Sequence, residues 1–169
     1  MDNNTSYEEI VKNIKLSHRN NLIKSFVQES NSIEGISKLS SNIILEKIGL
    51  FLELKEIHLK DLENLVNTIE PRAKLRNKEG MDVSVGGNPC EKGGESIEEQ
   101  LKTILKNINT YSSYELYCEY EILHPFTDCN GRSGRILWLW LLNKRENRLI
   151  YSFLKEFHYQ SIRHYRNTY

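Results

Sequence analysis

The segment HPFTDCNGRSGRILWLWLLNKR, His124 to Arg145, decides how the chain can be built. Its second half, Gly134 to Arg145, is apolar on nearly every side. A helix with no polar face has to be buried, so this stretch reads as the central helix of a helical domain. Its first half, His124 to Arg135, crowds a histidine, an aspartate and two arginines among turn-forming residues. Pro125 biases His124 away from helical dihedrals, so a preceding helix ends at His124. Asp128, Cys129, Asn130 and Gly131 then make a tight turn, and the central helix starts within a residue or two of Gly131.

Working outward, helical periodicity dominates. Ser112 and Glu115 have the capping-box spacing and open the helix that ends at His124. Ser96 and Glu99 repeat that spacing ahead of a face made by Ile97, Leu101, Ile104, Leu105 and Ile108. SNIILEKIGLFLELKEIHLKDLENLVNTIE reads as one or two helices, with a stripe of Leu59, Leu62, Leu65, Val66 and Ile69, stopped by Pro71. Thr5 and Glu8 form a further box pattern. Leu22, Ile23, Phe26 and Val27 share one face of a helix that begins near Asn20 and ends near Gly35. SFLKEFHYQSIRHYRNTY closes the chain as a helix. Only around Met81, Val83 and Val85 does the pattern alternate, which predicts a short strand or hairpin arm before Gly86-Gly87. GGNPCEKGGE after it reads as a loop. The expected architecture is one all-α domain over residues 1–169 with one β excursion.

Composition narrows the function. Lys+Arg and Asp+Glu are equal at 23 each, so no global field draws the chain to nucleic acid or to an anionic membrane. The longest apolar run, Ile136 to Leu142, is too short to span a bilayer, and the polar start MDNNTSYEEI has no leader-like segment. Cys90, Cys118 and Cys129 are odd in number and lack metal-ligand spacing. Free thiols in a cytoplasmic protein are the expectation.

The loop carries the chemistry. The N-terminus of the central helix offers free N–H groups to an anion. Arg132 and Arg135 lie on one side of its first turn, where two cations oppose the helix dipole and call for an anionic partner. Asp128 is an oxygen ligand suited to Mg²⁺. His124 is the group whose ordinary pKa lies near neutrality. Taken singly, each has a bland explanation: a structural histidine, solvated arginines, a turn-making Asp-Asn. Together they are the parts of a phosphoryl-type transfer site.

HPFTDCNGRSGR resembles the signature of the Fic family, H-P-F-x-[D/E]-G-N-G-R-x-x-R, at every specified position except Cys129, which stands in place of glycine. The resemblance implies a Fic-type helical bundle, with its core over 41–169 and a β-hairpin flap near 80–88. There Val83 and Val85 would clamp a target segment. It implies transfer of AMP from ATP, with Mg²⁺, to a Ser, Thr or Tyr hydroxyl of a target protein. His124 would be the base and Asp128 the metal ligand. Asn130, Gly131, Arg132, Gly134 and Arg135 would bind the nucleotide, with Arg135 reaching the γ-phosphate. Cys129 is small enough that the turn is expected to keep ordinary dihedrals. A catalytic thiol there is the less favoured reading, since the histidine already has a role.

SNSIEGI, Ser30 to Ile36, resembles that family's inhibitory motif [S/T]-x-x-x-E-[G/N] through Ser30, Glu34 and Gly35, within a helix assigned to 20–36. Glu34 would pair with Arg135 and fill the γ-phosphate position with negative charge. The resemblance further implies homo-oligomers, and nine tyrosines supply candidates for self-modification. Two other readings compete. One is a Fic-fold enzyme that transfers another phosphate-containing group or removes AMP. The other is a silent nucleotide-binding or interaction module. Intact His124, Asn130 and Arg135 favour AMP transfer.

Overall fold

A computed structural model describes residues 6–146 and 152–168. The chain is mostly helical, as expected. Ser6 opens α1 (Tyr7–Ile33): its hydroxyl accepts the Glu9 N–H, and its own N–H donates to the Glu9 carboxylate. The capping box is therefore one residue later than the Thr5–Glu8 pattern, and Thr5 lies outside the described residues. α1 is also one continuous helix, not a helix beginning near Asn20. Its second half buries Leu22, Ile23, Phe26 and Val27, the predicted face.

The long apolar segment divides into α2 (Asn42–Leu52) and α3 (Leu59–Ile69). Leu62, Leu65 and Val66 are buried, with Leu59 and Ile69 packed against the same core. α4 (Glu95–Lys106) buries its predicted stripe, but Gly94 is its N-cap. Ser96 makes no box with Glu99. Its hydroxyl donates instead to the Glu91 carboxylate, an acceptor the pattern did not anticipate. Ser112 and Glu115 do form the predicted box at the start of α5 (Ser113–Leu123).

α6 (Asn130–Glu146) is the centre of the molecule. Every residue from Ile136 to Leu142 is buried. The two tryptophans can be buried because each indole N–H has an acceptor. Trp138 donates to the Gln160 side chain at 3.1 Å and Trp140 to the Leu54 carbonyl at 2.8 Å. α5 packs along α6, α1 to α3 cover other sides, and α7 (Phe153–Thr168) lays Phe153 onto Trp138 and Phe26. No helix among the described residues is long and apolar enough to cross a membrane.

The β excursion is a hairpin, β1 (Ser84–Val85) antiparallel to β2 (Asn88–Pro89). Gly86 and Gly87 have φ of 56° and 84°, the double left-handed turn that lets two residues reverse a twisted pair. The stretch predicted as loop therefore contains the second strand, which pattern could not show because Asn and Pro are poor strand formers. Val85 is exposed and Val83 half-buried, and neither belongs to the core.

Gly134 was expected in the nucleotide site, but its α-carbon faces α5. A Cβ there would lie 2.8 Å from a Glu121 carboxylate oxygen and 2.9 Å from the Tyr120 ring. It is the notch that lets α5 approach α6. Gly134→Ala is expected to lower stability by about 1–3 kcal/mol, the usual effect of overpacking. A urea unfolding midpoint equal to that of the wild type would remove the packing role.

Candidate active site

His124 is the C-cap of α5 and lies in the left-handed region, φ 49° and ψ 58°. The helix stops there as predicted, though in a conformation that non-glycine residues seldom adopt. The loop is pinned from both sides. Leu75 bridges Phe126, and Lys74 O accepts the Thr127 N–H at 2.9 Å. Inside the loop the Asn130 amide accepts the Phe126 N–H at 2.9 Å and donates to the Phe126 carbonyl at 2.7 Å. Asn130 is buried, and its side chain shapes the loop from within.

The His124 ring is half-buried, and burial holds its pKa below the ordinary imidazole value. The Glu121 carbonyl, 3.4 Å from Nδ1, pulls it the other way. Because a carbonyl can only accept, that contact needs the proton on Nδ1 and leaves Nε2 as the basic nitrogen. A neutral imidazole near pH 7 with one free lone pair can act as a general base.

Cys129 departs from expectation. Its φ is 69°, so cysteine occupies a left-handed position that glycine would take without strain. Its thiol is buried and pushed up to about 12 by that burial, which removes the thiolate a nucleophile needs. Asp128 sits beside it, 63% exposed, with Oδ1 accepting the Cys129 N–H at 2.5 Å. Arg132 lies 3.7 Å from Asp128 and 3.8 Å from Glu70. Glu70, at the end of α3, carried no sequence signal.

Arg135 does not point to solvent. It is buried, and its guanidinium reaches back to the end of α1. Nε donates to Ser30 Oγ at 2.8 Å, while Nη2 donates to the Ser30 carbonyl at 3.0 Å and to Glu34 Oε1 at 2.5 Å. The way α1 ends makes this possible. Gly35, φ 71°, donates to the Ser32 carbonyl, and Ile36 donates to that of Asn31. This is the Schellman closure that glycine at this position permits. The Glu34 N–H turns to the Asn31 carbonyl at 3.0 Å, which leaves the Ser30 carbonyl to Arg135. Glu34 thus meets Arg135 as the motif implied, Ser30 joins it there, and Gly35 closes the helix behind them.

Glu34 also reaches the first turn of α6. A Cβ on Gly131 would collide with its Oε1 and lie 3.0 Å from Arg135 Nη1. A carboxylate is therefore already seated where the helix N-terminus invites an anion. The chain matches no protein-family model and no curated protein.

For a cation, Asp128 is the available ligand. No group of three or more His, Cys, Asp or Glu side chains capable of holding a metal occurs among the described residues. One exposed carboxylate is a poor cage by itself, and a Mg²⁺ ion held there would need its other ligands from whatever it came in with.

Glu121 was missed by the sequence reading, although it stands one helical turn before His124. Its Oε1 is buried with no hydrogen-bond partner among the described residues, beside Gly134 and the Tyr117 ring. Burial pushes its pKa up to about 7, with Arg135 opposing and Glu34 adding to the rise. The folded chain thus keeps a proton that an unfolded glutamate releases near pH ~4.3. Its contribution is fully present below that value and is lost as pH rises through 7. Glu121→Gln should leave stability at pH ~4 nearly unchanged and raise it at pH ~8.5 by about 1–3 kcal/mol. Urea denaturation at the two pH values measures the difference. An equal effect at both would mean that the carboxyl does not titrate in this range.

Proposed function

We propose that the chain is a protein adenylyltransferase of the Fic type, held in check by Glu34. The observation that carries the reading is the seat of that carboxylate, on Arg135 and against Gly131 at the N-terminus of α6. An isolated buried ion pair stabilises a fold poorly, because desolvation offsets the attraction. A carboxylate placed on an arginine, at a helix N-terminus, beside a histidine base has a simpler purpose. It occupies the site of a phosphate.

In the reaction, a target hydroxyl gives its proton to His124 Nε2 as its oxygen attacks the α-phosphorus of ATP. The new P–O bond forms as the bond to the bridging oxygen breaks, and pyrophosphate leaves. Mg²⁺ held by Asp128 would offset charge on the leaving phosphates. The Gly131 backbone and Arg132 supply further compensation from the same turn. Asn130 acts by holding the loop rather than by reaching out. Arg135 receives the γ-phosphate once Glu34 gives way. Misplacing that phosphate is enough to suppress transfer, since in-line geometry governs the rate. The exposed hairpin offers backbone groups to which a target segment can pair, with Val83 and Val85 on its first arm.

The test compares ATP labelled at the α-phosphate with ATP labelled at the γ-phosphate. Label from the α-position should become protein-bound, slowly with the wild type. Glu34→Gly should transfer at least about 10-fold faster, because it restores the γ-phosphate position. Arg135→Ala breaks the same ion pair from the other side and should be slower than the wild type. Adding His124→Ala to Glu34→Gly should lower the rate by about 10²–10⁴-fold with ATP still bound. A folded Glu34→Gly chain that is no faster than the wild type would sink the inhibitory role. Incorporation from the γ-label alone would replace AMP transfer by phosphate transfer.

A further inference from the structure

Arg76 has no place in the signature and precedes it by nearly fifty residues, yet it is wholly buried beneath the loop. Its guanidinium makes four hydrogen bonds, all to main-chain carbonyls. On one side Nε donates to His124 O at 2.7 Å and Nη2 to Leu123 O at 3.1 Å. On the other, Nη1 donates to Met81 O at 3.2 Å and Glu91 O at 2.8 Å, the two roots of the hairpin. Its backbone repeats the link. The Arg76 N–H donates to Pro125 O, and its carbonyl accepts the Gly94 N–H, both at 2.9 Å.

Nearby carboxylates are engaged elsewhere. Asp82 accepts the Gly93 N–H, and Glu91 accepts from Ser96 and Gln100. The cation is therefore committed to carbonyls, two of them at the negative end of α5. A planar guanidinium presents its donors in a fixed fork, so the groups on its two edges cannot shift independently.

We propose that Arg76 is a positioning residue that ties the hairpin roots to the peptide of His124. A target segment seated on the hairpin is thereby registered against the base. The proposal rests on the reading of His124 as the base and of the hairpin as the target-binding flap. It predicts which step suffers when the tie is cut. Nucleotide contacts lie on α6 and stay in place, while the acceptor hydroxyl and Nε2 lose their common frame. An error of about 1 Å there can cost on the order of 10²-fold in rate.

The experiment uses Arg76→Lys, which keeps the charge but cannot span both edges, and Arg76→Gln as a neutral second variant, each with and without Glu34→Gly. Three quantities are read: affinity for Mg-ATP by calorimetry, self-modification from α-labelled ATP, and amide hydrogen exchange. ATP affinity should stay within about 3-fold, while transfer in the Glu34→Gly background falls about 10–100-fold. Exchange should rise together at residues 90–94 and 124–127, by at least about 10-fold, with α6 unaffected.

A rise confined to one of the two segments, or ATP affinity falling in step with transfer, overturns the proposal. Should neither variant fold, exchange in the wild type decides. The amides of Arg76, Gly94 and Thr127 must then open as one unit, and three separate opening free energies would refute the tie. Exchange does not depend on catalysis. If Glu34→Gly transfers nothing, the functional reading fails while the tie is still judged by exchange.

Discussion

Arg135 carries a full positive charge with almost no access to water, and a buried cation persists only where its donors are met. Much of the site follows from meeting them. α1 must end where it does, so that the Ser30 hydroxyl, the Ser30 carbonyl and Glu34 converge on one guanidinium. Gly35 must follow to close the helix in the left-handed turn. Phe153 lies across the guanidinium, 5.9 Å from its ring centre, which brings the start of α7 to the same point. A charge that would otherwise disrupt the core thus fixes α1 and α7 around the start of α6.

The loop before α6 has a different logic. It contains two non-glycine residues at positive φ, His124 and Cys129, within six positions. Such conformations cost on the order of 1–3 kcal/mol each and persist where their surroundings over-determine them. Here the surroundings are the buried Asn130 amide, the strand-like pairing of 74–76 with 125–127, and the four bonds of Arg76. The loop is rigid because other parts of the chain hold its carbonyls. Its own composition, rich in turn formers, would not suffice.

How much of this could be read beforehand depended on range. The burial of α6, the Ser112–Glu115 box and the stripe on α4 are set by neighbours within a turn or two, and periodicity reveals them. Thr5–Glu8 and Ser6–Glu9 have the same spacing, so pattern alone could not choose between them. Ser96 had the right spacing for a cap, but Glu91 competes for its hydroxyl. The dihedral of Cys129 depends on the loop closing around it, which composition does not encode. The meeting of Glu34 with Arg135 spans 101 residues and was legible only because both ends carry recognisable motifs. Arg76 carries none. It is one charged residue among many until the fold places four carbonyls around it. The packing role of Gly134 was hidden for a related reason: it lies in what α5 presses against it, and α5 is not visible from within the loop.

The attachment of α1 sets how any release of Glu34 can occur. Ile23, Phe26 and Val27 are part of the common core. Glu29 accepts the N–H groups of Phe153 and Leu154, which caps α7. Pulling α1 away would expose those side chains at about 1.5–3 kcal/mol apiece and uncap another helix. A change in the Glu34 rotamer beyond the last turn disturbs none of these. Glu34 is thus carried by a helix anchored in the common core, and its freedom is that of one side chain at a helix end. Access to Arg135 then turns on the rotamer of one side chain rather than on the departure of a whole segment.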